Sequence, residues 1–278
     1  MVIAILGVIL FWYFRTWLVR KLFVNINNFQ FWKLFVLSGS LVAFLLWSQY
    51  MLHQFNLSFV TFPGFFVFCG ILLLFLAILW AVFYPKNKKS WMILGVLLVF
   101  FVSLGTWNLL IPFFSSFSLL LLSVMTEEYL KIGTSSLVFE KNGQIKSDLI
   151  FFSLLIATGF SFFENCYYFI ESITSLHLEN LVLGRWIFAS LLHLFATGVI
   201  ALILFKGGVF EETFLKKTIV ILLVGFLIGV IVHLLYDFSF LPSFLIYGII
   251  LIGGYFFLTY LFYLSDHIYL AKKMGEEK

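Results

Sequence analysis

Charge is what this chain has least of. Only 11% of its 278 residues are Asp, Glu, Lys or Arg, against roughly 25% in soluble globular domains. A chain so poor in charge cannot cover a water-facing exterior, and no polar stretch is long enough to fold by itself. Cysteine is almost absent. Cys69 and Cys166 both lie in apolar segments and read as small buried hydrophobes, not as a disulfide or metal framework. No Gly-x-Ser-x-Gly or Ser/Lys arrangement offers a serine nucleophile, and His-Glu-x-x-His is missing. There is no nucleotide or nucleic-acid motif; Gly207–Gly208 and Gly253–Gly254 are isolated pairs. No positive charge precedes the apolar start, Met1–Phe14, and no small-residue cleavage site follows it. The segment is therefore expected to be a retained first helix with its N-terminus outside, not a secretory signal.

Apolar and aromatic residues fill the space. Hydrophobic residues make up 63% and aromatics 21%, with 39 Phe, and the mean hydropathy is +1.12. A membrane-spanning helix needs about 20 mostly apolar residues. Nine segments qualify or nearly do: 2–17, 34–52, 60–84, 91–111, 119–139, 149–171, 185–205, 218–239 and 243–264. The first is the weakest, so the count is eight to nine. Pro112 and the Ser115–Ser116–Phe117–Ser118 patch divide the long apolar stretch 91–139 into two spans. The fold class expected is an all-α polytopic transmembrane bundle. Residues 1–112 form N-terminal helices of unassigned role, 113–240 a catalytic core, and 241–278 a last helix and tail.

Orientation follows from the loop charges. With the N-terminus outside and the C-terminus cytoplasmic, fifteen of the seventeen Lys and Arg residues fall in cytoplasmic loops or the tail. The outside loops carry essentially no basic residue, and one holds Glu171 and Glu179. The two basic residues left over, Lys131 and Arg185, lie inside apolar segments.

Ionisable groups at membrane depth cost at least about 2.5–3.5 kcal/mol each, so they persist where they face one another or a water-filled cavity. Here they are confined to 119–239. The fifth segment carries Glu127–Glu128–Tyr129–Leu130–Lys131. Glu127 and Lys131, at i and i+4, share a face and can pair; Glu128 points about 100° away. The sixth carries Glu164–Asn165, the seventh Arg185 with His193 and Thr197 at i and i+4, and the eighth His233 and Asp237 at i and i+4. At 1.5 Å per residue, Glu127 and His193 lie roughly 12 Å below the outer ends of their spans, and Glu164 and His233 roughly 9–10 Å. Helices running in alternating directions thus place all four groups in one layer, which predicts a single outward-facing site.

A carboxylate that is oriented but not neutralised can take a proton from water. Peptide hydrolysis then needs oxyanion donors and an acid for the leaving amine, and histidine serves both. Glu127 or Glu128 as base with His193 and His233 makes a set that needs no cofactor. Zinc is the alternative, held by His193 and His233 with Glu127, Glu164 or another of the acids, one position staying open for water.

Glu-Glu-x-x-Lys (127–131), Phe-x-x-x-Glu-Asn (160–165), Arg185 followed by His193-x-x-x-Thr197, and His233-x-x-x-Asp237 resemble the PrsW family, in the family's order. PrsW proteins are similar in turn to the CAAX prenyl protease and bacteriocin-immunity superfamily. That superfamily has Arg one place beyond Lys131 and His where this chain has Glu164. The resemblance implies an intramembrane endopeptidase of the bacterial cytoplasmic membrane. Its substrate would be a membrane-anchored protein such as an anti-sigma factor, cut near the extracytoplasmic face by a glutamate-activated water. Glu127, Glu128, His193 and His233 are then the expected catalytic residues, with Lys131, Glu164, Asn165, Arg185, Thr197 and Asp237 supporting them. The superfamily is also similar to the γ-secretase scaffold subunit, so a non-catalytic scaffold stays open, as does a proton-coupled transporter. No nucleic-acid partner is expected.

Overall fold

The computed structural model of the chain describes residues 28–54, 115–142, 148–172, 188–208 and 215–237, with Leu245, most of 248–263 and parts of 68–75 and 95–102. Every regular element among them is helical. Five helices are continuous: α1 (Asn28–Gln54), α2 (Ser115–Asn142), α3 (Asp148–Ser172), α4 (Ser190–Lys206) and α5 (Leu215–Asp237). They contain or closely overlap the predicted spans 34–52, 119–139, 149–171, 185–205 and 218–239. The predicted span 2–17 and Pro112 lie outside the described residues. Ser115–Ser118 were expected to break the chain, but they form the first turn of α2. Serine is favoured at helix starts as well as in turns, so the same residues open α2.

The apolar segments are helical for a reason of hydrogen bonding: without water, a helix is the one open-chain structure that pairs its own backbone groups. Hydroxyls are absorbed in the same way. Thr126 Oγ1 donates to the Leu122 carbonyl at 2.7 Å, and Thr158 Oγ1 to the Leu154 carbonyl at 2.7 Å. Asp148–Ile170 and Lys217–Asp237 are long and apolar enough to cross a membrane by length and composition. Of the two, α5 presents a stripe of exposed Val220, Val224, Leu227, Ile231 and Leu235. A helix with such a face fits lipid, not water.

Helices α2 to α5 pack in a ring, each against the next, with α5 closing onto α2 and α1 covering α3. Small residues bring the axes close. A Cβ on Gly207 would meet Ile221, one on Gly225 would meet Ile203, and one on Gly229 would meet Ile200. The inverse order of these pairs makes α4 and α5 antiparallel. Likewise, Gly198 of α4 faces Leu154 of α3, and Gly159 of α3 faces Ser38 of α1. Gly207 and Gly208, which carry no sequence motif, terminate α4. Their amides bond to the carbonyls of Ile203 and Phe205 at 2.8 and 3.1 Å, and Gly208 takes the left-handed φ of 64° that favours glycine.

Candidate active site

The ring of helices brings its ionisable side chains to one place. Glu127 and Glu128 come from the middle of α2, Glu164 from α3, His193 from the start of α4, and His233 and Asp237 from the end of α5. Antiparallel packing makes this possible, because an early position on α4 sits level with a late one on α5.

Glu128 is the saturated member. It is fully buried, and both of its oxygens are engaged. Oε1 accepts from Lys131 Nζ and lies 2.9 Å from His233 Nδ1, while Oε2 accepts from Thr197 Oγ1 at 2.7 Å. An ionised carboxylate in so dry a place requires this many donors, since an unpaired buried charge is severely destabilising. Lys131, also fully buried, reaches on to His193 Nδ1 at 2.9 Å and stands over the Phe160 ring at 4.9 Å. The remaining nitrogen of His193, Nε2, lies 2.9 Å from Glu164 Oε2. The two imidazoles meet edge to face, with centroids 4.8 Å apart.

Glu127 is placed differently. Its Oε2 is buried and makes no hydrogen bond within the described residues. His233 Nε2 lies 3.8 Å from it, and Asp237 Oδ2 approaches that same nitrogen at 3.5 Å. Three groups with acceptor capacity therefore converge here, and such a convergence suits a donor such as water, or a cation.

The donor set also fits a metal in kind and spacing. One ligand atom each from Glu127, His193 and His233 lie within 4.8 Å of one another, and two imidazoles with a carboxylate are zinc ligands that leave a position for water. Glu128 behind His233 Nδ1 is the carboxylate that a ligating histidine commonly carries.

A family model described as "PrsW family intramembrane metalloprotease" matches residues 91–264. The chain belongs to the PrsW family. It is therefore an intramembrane protease, acting on membrane proteins within a bilayer. No curated protein and no solved structure matches it. The family match starts ahead of the four motifs and takes in α2 to α5 entire.

Within this PrsW protein, the expected residues come together with one change of partner. Lys131 was expected to pair with Glu127 at i+4, but it pairs with Glu128 at i+3. Both spacings bring side chains into reach on a helix, so the choice is tertiary. Thr197 and His233 already fix Glu128 on the side where Lys131 turns towards His193. Thr197 and His193 both face α2, as their spacing implies. Asp237 joins His233 across one turn. Asn165 stands apart from the carboxylates, its amide donating to Ser190 Oγ at 3.0 Å and Ser161 Oγ at 3.3 Å, with the two hydroxyls 2.8 Å from each other. Arg185 lies outside the described residues. Sequence reasoning missed Ser190, whose position one turn before His193 was the available signal, and the role of Phe160 beneath Lys131.

Proposed function

We propose that this PrsW protein hydrolyses a peptide bond of a membrane-anchored protein with a water activated by Glu127. The observation that carries the reading is the contrast between adjacent carboxylates: Glu128 is fully bonded, whereas Glu127 keeps a buried oxygen without a hydrogen bond among the described residues. A base must have a free lone pair and a geometry that holds it near its proton. Water donating to Glu127 Oε2 and His233 Nε2 meets both needs. Glu127 takes one proton as the water oxygen attacks the substrate carbonyl carbon. His193 and His233 flank the tetrahedral oxyanion as hydrogen-bond donor and water holder. The proton on Glu127 then passes to the leaving amine as the C–N bond breaks, leaving a new carboxyl and a free amine. Glu128 and Lys131 hold the scaffold of charge, and Asp237 and Glu164 orient the two rings.

Residues 113–240 form the catalytic core in this reading, inside a nine-span chain with its N-terminus outside. The loop charges favour a cut near the extracytoplasmic face of a bacterial cytoplasmic membrane, and an anti-sigma factor is the substrate class proposed. A second reading, zinc held by Glu127, His193 and His233, is favoured by the closeness of their ligand atoms. Bound there, zinc supplies Lewis acidity and a more acidic water.

The test is cleavage of single-span substrates by purified protein in liposomes, run in ¹⁸O-labelled water with mass-spectrometric mapping of the cut. The proposal expects one ¹⁸O in the new carboxyl terminus and a rate unchanged by exhaustive chelation. Loss of activity with chelator and its return with zinc would replace the proposal with the second reading. No cleavage of any substrate by a folded preparation would count against both.

A further inference from the structure

The two histidines are held by groups of opposite kind. Lys131 Nζ lies between Glu128 Oε1 and His193 Nδ1, the latter 2.9 Å away. An ammonium nitrogen has donors and no lone pair. With a neutral ring, Nδ1 of His193 is then the acceptor, and the ring's single proton sits on Nε2. That nitrogen faces Glu164 Oε2 at 2.9 Å and donates to it. At His233 the polarity reverses. Its Nδ1 lies 2.9 Å from Glu128 Oε1, and an ionised carboxylate accepts only. Nδ1 therefore carries a proton, and in the neutral ring Nε2 presents its lone pair to the side where Glu127 and Asp237 converge.

We infer that Lys131 is a positioning residue that, with Glu164 on the other nitrogen, fixes His193 as its Nε2–H tautomer, making one ring a donor and, in its neutral form, the other an acceptor. In a neutral imidazole, the bond made by one nitrogen decides the state of the other. Lys131 is well placed to make that decision, because it is fully buried, out of reach of bulk solvent, with an aromatic face beneath it. Where the proposed hydrolysis holds, the division assigns tasks: the His193 Nε2–H turns from Glu164 Oε2 to the substrate's carbonyl oxygen, and His233 Nε2 holds the water beside Glu127. The roles rest on that reading, but the tautomers do not. The division also bears on metal binding. His233 and Glu127 can ligate as they stand, whereas the nitrogen of His193 that Lys131 leaves facing Glu164 carries a proton and would have to lose it.

The test is solid-state NMR on histidine-labelled (¹⁵N, ¹³C) protein in bilayers, with His193 and His233 assigned by their Gln variants. The two neutral tautomers differ in ring ¹⁵N and ¹³Cδ2 shifts. The expected result is Nε2–H for His193 and Nδ1–H for His233. In Lys131→Met, His193 should lose the pure Nε2–H pattern while His233 keeps its own, and kcat should fall about tenfold or more with KM retained. Nδ1–H at His193 in the wild type overturns the inference, and so does an unchanged His193 in folded Lys131→Met. If Lys131→Met does not fold, the wild-type spectrum decides alone. The spectra need no substrate, so failure of the proposed hydrolysis would show separately as absent cleavage with the tautomers intact.

Discussion

Thr197 Oγ1 donates to Glu128 Oε2 at 2.7 Å, joining two helices across 69 residues of sequence. It is the donor recorded on that oxygen, and both side chains are fully buried. Thr197→Val keeps the shape and removes the donor, so the carboxylate oxygen is left unsatisfied. We predict a loss of about 1.5–3 kcal/mol in stability, the range for hydrogen bonds to charged groups. Unfolding in detergent should register it, and Thr197→Ser should restore most of it. A Val variant as stable as wild type would mean that the bond contributes nothing.

Glu128 and Glu127 should part company in stability. Glu128→Gln removes the charge that faces Lys131 and His233, and breaking a buried pair costs about 3–5 kcal/mol. Glu127→Gln changes an oxygen that makes no hydrogen bond among the described residues, so its unfolding free energy should stay within about 1 kcal/mol of wild type, as for sites free of such networks. Equal destabilisation of the two variants would contradict the distinction drawn between them.

Gly229 sets the spacing of α4 and α5. A Cβ there would lie 2.4 Å from two Ile200 side-chain carbons and 3.1 Å from the Ala196 carbonyl oxygen. Gly229→Val should force the helices apart at a cost of about 1–3 kcal/mol and pull His233 away from His193, lowering cleavage sharply. Gly225 meets its nearest neighbour at 3.2 Å, so Gly225→Ala should be tolerated. Comparable activity in the two variants would show that this spacing does not govern the site.

The extent to which these features were legible in the sequence follows from the physics of each. The helices were readable because an apolar run without charge has few other structures open to it. The meeting of Glu127, His193 and His233 was readable because spacing from the helix ends converts directly into depth. Partner choice was not. Between i+3 and i+4 the helix is indifferent, and what directs Lys131 to Glu128 is Thr197 and His233 arriving from elsewhere in the chain. The Asn165–Ser161–Ser190 cluster was hidden for the same reason. Hydroxyls scattered in apolar helices usually bond their own backbone, and nothing local marks the few that bond across.

The topology makes a separate prediction. If the positive loops are cytoplasmic, a fluorescent protein fused after Lys278 should fluoresce, and alkaline phosphatase fused there should be inactive. Phosphatase fused after Glu179 should be active. The reverse pattern would place the site on the cytoplasmic side and remove the proposed extracytoplasmic cut.

The proton acceptor is tested most directly by the turnover of Glu127→Gln, measured against wild type at equal folded protein in the same liposomes. Gln keeps the size of the side chain and removes its basicity. Positioned general bases contribute about 10²–10⁴-fold, so the rate is predicted to fall by at least about two orders of magnitude. Turnover within a few-fold of wild type would contradict a role for Glu127 in activating water.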